Sequence, residues 1–177
     1  MVRMALSSAL CLCALAAISC KRAGTDAPNA ASGSAASASV GNSASGFASR
    51  GGDACAKYLT PDIVSAILDG QTGPATKLSA QGCSVSTLDN GGTISITLNA
   101  ASSQAFDAFQ KYLTDPKPLA GVGDRAVQSM TGISSIKSPN MGCDIDAGGA
   151  PGSLKIHGAA LGQKLGEICN RIYADAK

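Results

Sequence analysis

Hydrophobic and polar positions divide the chain into three parts. Residues 5–18 are mostly apolar and uncharged, and they follow one basic residue, Arg3. Residues 20–52 are chiefly Ala, Ser and Gly, with few large apolar side chains. From residue 53 onward, apolar residues recur with the spacings of helices and strands. The pattern therefore predicts a signal segment (1–19), a linker (20–52) and one globular domain (53–177).

Three segments of the domain carry helical patterns. The first, TPDIVSAILDG, has Thr60 before a proline and ends at Gly70, as is typical of helix boundaries. The second, SSQAFDAFQKYLTDP, begins with serines and stops at Pro116. The third, HGAALGQKLGEICNRIYADAK, has an apolar stripe made of Leu161, Leu165, Ile168, Cys169 and Ile172. We therefore expect three helices.

The dipeptide Asn90-Gly91 predicts a β-hairpin. With a two-residue turn, the numbers of opposed residues sum to 181, so that Val85 opposes Ile96. One face of the hairpin is then largely apolar. The other face, called here the hydroxyl face, carries Ser84, Ser86, Thr93, Ser95 and Thr97. We expect this face to point outward, either as an ordinary solvated sheet face or as a contact surface for a partner.

Further strands are predicted at residues 125–130, 133–137, 141–147 and 153–157, the last two as a hairpin across GGAPG. In the segment MGCDIDA, the apolar residues alternate with two aspartates, which share the opposite face of the strand. Taken together, these elements predict an α+β fold, in which an antiparallel sheet carries about three helices packed on one face.

Four of the seven cysteines fall in the domain: Cys55, Cys83, Cys143 and Cys169. An even number in an exported domain suggests two disulfides, for which three connectivities exist. We favour Cys55–Cys83 and Cys143–Cys169, since Cys143 and Cys169 both lie on the core side of their elements. A zinc site and a catalytic thiol are the rival interpretations, and the lack of a C-x-x-C pair or a histidine cluster speaks against zinc.

Residues 1–19 have the features of a secretory signal peptide: a charged start, a short apolar stretch and small residues before a break. The apolar stretch is too short to cross a bilayer, which needs about 20 residues. The sequence AAISC, which ends at Cys20, resembles the lipobox of bacterial lipoproteins, with Ala17 where that family prefers Leu. The resemblance implies that Cys20 is acylated and becomes the first residue of the mature chain.

The segment that follows Cys20 bears on location. Residues 20–52 are too poor in large apolar side chains to fold alone, so they are predicted to be a flexible, lipidated tether. Lys21 stands directly after the cysteine, and in a Gram-negative cell the lipoprotein resemblance then implies sorting to the outer membrane. We therefore expect an exported protein that is held at the membrane of the cell envelope by its lipid anchor.

The domain shows little that points to catalysis or nucleic acid. Residues 53–177 carry ten basic and eleven acidic side chains without a Lys/Arg cluster, so no nucleic-acid partner is expected. GVGDRA, at residues 121–126, matches a variant of the dinucleotide fingerprint but lacks the strand before it and the helix after it. The one histidine, His157, has no partner nucleophile in a recognisable motif. We expect no enzymatic activity, no cofactor and no metal.

A set of short motifs resembles a known family. DACAKYLTPDIVSAILDG, a cysteine at the start of a strand, LAGVGDRAV and a late cysteine pair are similar to a family of uncharacterised bacterial lipoprotein domains. Its relatives include actinobacterial lipoproteins and the extracellular sensor domain of a mycobacterial serine/threonine kinase. Ser84 replaces the aromatic residue usual after the second cysteine. The resemblance implies two disulfides and an α+β fold, and no established chemistry.

The expected function is a non-enzymatic binding or interaction domain that contacts an unknown envelope protein or polymer. The alternatives are a structural envelope lipoprotein without a ligand and a hydrolase. A concave pocket would favour binding, a featureless surface would favour the structural role, and a free thiol would favour the hydrolase.

Overall fold

The structure, a computed structural model, describes residues 45–89, 91–138 and 140–176. A helical turn at residues 45–48 comes first. The longer helices are α1 (Gly51–Tyr58), α2 (Pro61–Ile67), α3 (Ser103–Gln110) and α4 (Gly158–Ala174). The strands are β1 (Thr76–Lys77), β2 (Gly82–Ser86), β3 (Thr93–Asn99), β4 (Lys117–Pro118), β5 (Arg125–Gln128), β6 (Gly132–Lys137) and β7 (Met141–Gly148).

The seven strands form one antiparallel sheet in the order β1-β2-β3-β7-β6-β5-β4. The late strand β7 lies in the middle, between β3 and β6. The expected α+β class with an antiparallel sheet is therefore confirmed. Since β7 joins two groups of strands that are separate in sequence, its position decides which side chains meet at the centre of the sheet.

One face of the sheet, the inner face, carries the main core. Ile94, Ile96 and Leu98 of β3 oppose Ala147, Ile145 and Cys143 of β7, and all six are buried. Helices α1 and α4 cover them. The predicted stripe of α4 is buried throughout, and Gly162 and Gly166 are buried with it. A Cβ on Gly166 would crowd the side chain of Val122, so this glycine allows the loop before β5 to lie close to α4.

Helix α3 packs on the opposite face, here called the outer face. Its Phe106 is buried with Val127 and Ile136 in a second apolar cluster. The prediction that all helices pack on one face is therefore wrong, because β5 and β6 each present an apolar residue outward, which gives α3 a place to pack. The predicted count of three helices is also wrong: α1 and the turn at residues 45–48 raise it to five within the described residues.

The folded region begins earlier than residue 53. Phe47 is 3% exposed, belongs to the core and stacks on Tyr173 with ring centroids 6.0 Å apart. Gly51 lies so close to the Gln81 carbonyl that a Cβ would clash with it. Residues 45–52 are thus part of the domain, and the expected linker boundary is wrong there. Cys20 and the rest of residues 1–44 lie outside the described residues.

The β2–β3 hairpin forms with a register that differs from the prediction. Cys83 opposes Ile96 and Val85 opposes Ile94, so that opposed numbers sum to 179 rather than 181. Thr87 N donates to Gly92 O, and Gly92 N donates to Thr87 Oγ1. Residues 88–91 therefore connect the strands, and this connection is longer than a two-residue turn. A shift of two residues keeps every side chain on its predicted face.

The predicted hairpin across GGAPG does not form. Residues 153–155 instead run beside the end of α2, where Asp69 N donates to Ser153 O and Lys155 N donates to Ile67 O. Leu68 and Leu154 make an isolated antiparallel bridge. The segment therefore ties α2 to the sheet end rather than extending the sheet.

Both favoured disulfides are present. Cys55–Cys83 joins α1 to β2 with a Cα–Cα distance of 5.8 Å, and Cys143–Cys169 joins β7 to α4 at 6.0 Å. The zinc and catalytic-thiol interpretations need these sulfurs free, so they are wrong. Over the described ranges, no helix has both the length and the hydrophobicity to span a membrane.

Candidate binding cleft

A cleft lies on the outer face between α3 and the middle strands. It consists of two adjoining cavities of about 130 Å³ and about 310 Å³, which share Phe109, Ser134 and Asp144. We call this the α3 cleft. Its principal lining side chains are Ser95, Thr97, Asn99, Phe109, Leu113, Ser134, Asp144 and Asp146.

The floor of the cleft follows from strand alternation. Asp144 of β7 lies between Thr97 of β3 and Ser134 of β6. Asp146 lies between Ser95 and Gly132 in the same way. Successive side chains of a strand point to opposite faces. In β7, Cys143 and Ile145 point into the core, and Asp144 and Asp146 therefore point outward. The sheet thus places two carboxylates among short hydroxyl side chains.

Asp144 is the most buried carboxylate of this floor. Ser134 Oγ donates to its Oδ1 at 2.5 Å, and Asn99 Nδ2 donates to its Oδ2 at 2.6 Å. Burial raises the pKa of Asp144 above its ordinary value, and the two hydrogen bonds oppose this rise because they stabilise the ionised form. Both donors are neutral, so the hydrogen bonds to Asp144 bring no positive charge to the cleft.

Asn99 is fixed at one end of the cleft. Its Oδ1 is buried and has no hydrogen-bond partner among the described residues. A Cβ on Gly142 would clash with this atom, so the glycine is what lets Asn99 reach across β7 to Asp144. A glycine at position 142 is therefore required for Asn99 to occupy its place in the cleft.

Helix α3 forms the wall of the cleft. The Ser102 side chain caps it by accepting from Ala105 N at 3.1 Å. Phe106 anchors it to the sheet, while Phe109, one turn later, lines the cleft and stays 45% exposed. The ion pair of Arg125 with Asp107 beside this helix is exposed to solvent and contributes little, so the packing of Phe106 does most of the anchoring.

The same wall carries one charged pair. Arg125 donates to Asp107 at 2.5 Å, and its guanidinium lies 5.1 Å from the centre of the Phe106 ring. The hydrogen bond from Arg125 lowers the pKa of Asp107. This basic side chain is thus already engaged at the side of α3 that faces β5.

The structure brings only part of the predicted hydroxyl face to the cleft. Ser95 and Thr97 line it. Ser84 and Ser86 lie on the same face of β2, nearer the β1 edge, and Thr93 lies at the start of β3. Ser86 Oγ and Thr93 Oγ1 are hydrogen-bonded to each other at 2.9 Å. Among these five residues, Ser86 and Thr97 are exposed and the others are half-buried.

Sequence reasoning missed the other members of the site: Asn99, Phe109, Ser134, Asp144 and Asp146. The alternation in MGCDIDA did place the two aspartates on one outward face. What the pattern lacked was the neighbour of that strand, since nothing local pairs β7 with β3.

The remaining candidates for chemistry lie elsewhere. His157 precedes α4 and lines a separate cavity of about 400 Å³ with Asp115, Lys117 and Met130 among others. GVGDRA forms the loop that leads into β5, where the Asn170 side chain bonds Gly121 O and Gly123 N. Across the part of the chain that the structure describes, no three His, Cys, Asp or Glu side chains gather to hold a metal ion.

Comparison of the chain with protein-family models, curated proteins and solved structures gives no match. The likeness to lipoprotein and sensor domains, drawn from short motifs, stays a prediction. The residues of the α3 cleft are the structural feature of this chain that bears on function.

Proposed function

We propose that this chain is an exported lipoprotein of the bacterial envelope whose domain binds a ligand or partner at the α3 cleft without catalysing a reaction. The observation that carries the proposal is the composition of the cleft. Two carboxylates, four short hydroxyl side chains and a partly exposed phenyl ring line one concave surface. Apolar surface beside a few convergent polar groups is typical of ligand sites.

The side chains of the cleft suit reversible binding. Ser95, Thr97 and Ser134 are short, so little side-chain entropy is lost when a ligand contacts them. Each hydroxyl can donate and accept a hydrogen bond. Phe109 is partly exposed and supplies apolar area that contact with a ligand would bury. The strands and the disulfide at Cys143 hold the floor in place before any ligand arrives.

The cellular setting in this proposal comes from the N-terminal sequence. AAISC implies acylation of Cys20 and attachment to the membrane, and the Ala/Ser/Gly segment after it gives the domain reach. If the cell is Gram-negative, Lys21 directly after Cys20 favours sorting of the protein to the outer membrane. The partner is then an envelope protein or polymer accessible to a tethered domain, with no role for nucleic acid.

A pair of lysine substitutions tests the binding site. Thr97→Lys places a long charged side chain in the cleft, whereas Ser86→Lys places one on the same face outside it. Both positions are exposed, so both variants should keep the circular dichroism spectrum of the parent. Chemical crosslinking in the native envelope should lose its main product in Thr97→Lys and retain it in Ser86→Lys. Equal products from both variants and the parent would support a structural lipoprotein without a ligand.

A further inference from the structure

Among the described residues, the two carboxylates of the cleft have no basic partner. Six ion pairs form within the described residues, and neither Asp144 nor Asp146 takes part in one. Asp144 accepts from Ser134 and Asn99, and Asp146 accepts from Thr131 Oγ1 at 2.7 Å. Every one of these donors is neutral. A bound cation could therefore pair with these carboxylates without displacing a basic side chain of the described residues.

The spacing of the carboxylates suits one compact cation with several donors. Asp144 and Asp146 are two residues apart on one strand, which places their Cα atoms about 7 Å apart and their side chains on the same face. A primary ammonium group has three N–H donors and can reach both carboxylates at once. Thr97 and Ser95, directly opposite on β3, offer hydroxyl acceptors beside them.

The wall above the carboxylates is apolar and aromatic. Phe109 and Leu113 line the same cavity as the two aspartates. One turn earlier on α3, Phe106 already has a cation over its ring, the guanidinium of Arg125. Phe109 has no such cation among the described residues, although its ring borders the anionic floor. A cation with a hydrocarbon stem would contact both surfaces.

We propose that the α3 cleft binds the primary ammonium group of an organic ligand, with the ammonium between Asp144 and Asp146 and its apolar stem against Phe109 and Leu113. This inference rests on the proposed function of the cleft as a binding site. A calcium ion is the competing occupant. It requires six to eight oxygen ligands, whereas the cleft offers only two carboxylates and short hydroxyl side chains.

The test uses amide chemical shifts of the full ¹⁵N-labelled chain in a non-ionic detergent at pH 7. The probes are butylamine and 1-butanol, which share a stem and differ in charge. Butylamine should shift the amide signals of β7 and α3 saturably and bind at least about tenfold more tightly than butanol. Nα-acetyl-lysine methylamide is a third probe, since it presents the same group as a protein partner would. Binding of this probe supports a lysine side chain as the source, and binding of butylamine alone supports a small amine.

Charge-removal variants provide the control. Asp146→Asn keeps the size of an exposed side chain and should weaken butylamine binding about tenfold. Asp62→Asn removes an equal charge from α2 and should leave binding unchanged. Equal binding of butylamine and butanol, or equal effects of the two variants, would overturn the ammonium inference, as would competition by calcium chloride with the same shifts. The Thr97→Lys and Ser86→Lys comparison would then still decide the proposed function on its own.

Discussion

At the scale of single residues, the site depends on Asp144 and the groups that hold it. Burial favours its neutral form, and the hydrogen bonds from Ser134 and Asn99 favour its charged form. Burial is the larger effect, so the pKa of Asp144 is raised. A ligand cation would reverse this balance, because a positive charge nearby stabilises the carboxylate.

The raised pKa of Asp144 gives a pH-dependent stability with a defined sign. Below the ordinary value of 3.8, the group is protonated in both the folded and the unfolded state. As the pH rises towards the higher folded pKa, the unfolded state releases the proton first, so the folded state loses stability. Asp144→Asn removes this loss, and Asn99 can turn its amide so that Oδ1 accepts from the new side chain.

We therefore expect Asp144→Asn to increase the free energy of unfolding more at pH 7 than at pH 3. Urea unfolding of the variant and the parent at both pH values measures the difference, with Asp62→Asn as the control. An increment that is the same at pH 3 and pH 7 would show that the Asp144 carboxylate is not penalised by burial.

Gly142 gives a second prediction at this scale. A Cβ there would meet the Asn99 amide and Ala101, so Gly142→Ala should destabilise the fold by about 1–3 kcal/mol and separate Asn99 from Asp144. Gly148→Ala is the matched control in the same strand, since its Cβ would make only an ordinary contact of 3.8 Å with Asp146. Urea unfolding and the Asn99 side-chain NMR signals measure the two effects. Equal stability of the two variants would contradict the close approach.

At the scale of elements, sequence periodicity predicted which face of a strand each residue occupies better than it predicted which strands are neighbours. The face of each residue in β2 and β3 followed from alternation, and a register shift of two residues left it unchanged. The sequence pattern did not predict helix α1, because Gly51 and Gly52 at its start are poor helix formers. The pairing of β7 with β3 joins segments far apart in sequence, so no local pattern could show that Thr97 faces Asp144.

Helix α3 is attached to the outer face mainly through one side chain. Phe106→Ala should remove most of this attachment, at a cost of about 3–5 kcal/mol to the docked helix. Because α4 and the disulfides do not depend on that cluster, the loss should be local. Hydrogen exchange should accelerate in residues 103–110 and stay slow in α4. Phe109→Ala, at a half-exposed position, should change exchange little, and similar effects of the two variants would refute Phe106 as the anchor.

At the scale of the whole molecule, covalent links compensate for a core with few aromatic side chains. Aromatic residues are 3% of the chain, and Trp is absent. Each disulfide closes a loop of similar length, with sequence separations of 28 and 26 residues, and stabilises the fold by about 3 kcal/mol in the chain-entropy model. The even number of domain cysteines allowed this framework to be predicted from sequence, whereas the earlier start of the fold at Phe47 was hidden in a segment of linker-like composition.

Attachment to the membrane is a prediction from the N-terminal sequence. AAISC implies an acyl anchor on Cys20, so Cys20→Ser should move the protein from the membrane fraction to the soluble fraction. Cys13→Ser, a substitution within the apolar signal segment, is the control and should leave the protein in the membrane fraction. Immunoblots of fractionated cells measure the distribution, and membrane recovery of Cys20→Ser would refute the lipobox interpretation.

The most direct test of the α3 cleft as a binding site is photo-crosslinking in intact cells. A benzophenone amino acid replaces either Phe109, inside the cleft, or Leu88, which is 69% exposed in the loop between β2 and β3. If the cleft binds a partner, we expect a discrete adduct from position 109 that is absent at position 88 and disappears when Thr97→Lys is added. The same adducts at both positions, or an adduct at 109 that persists with Thr97→Lys, would contradict binding at the cleft.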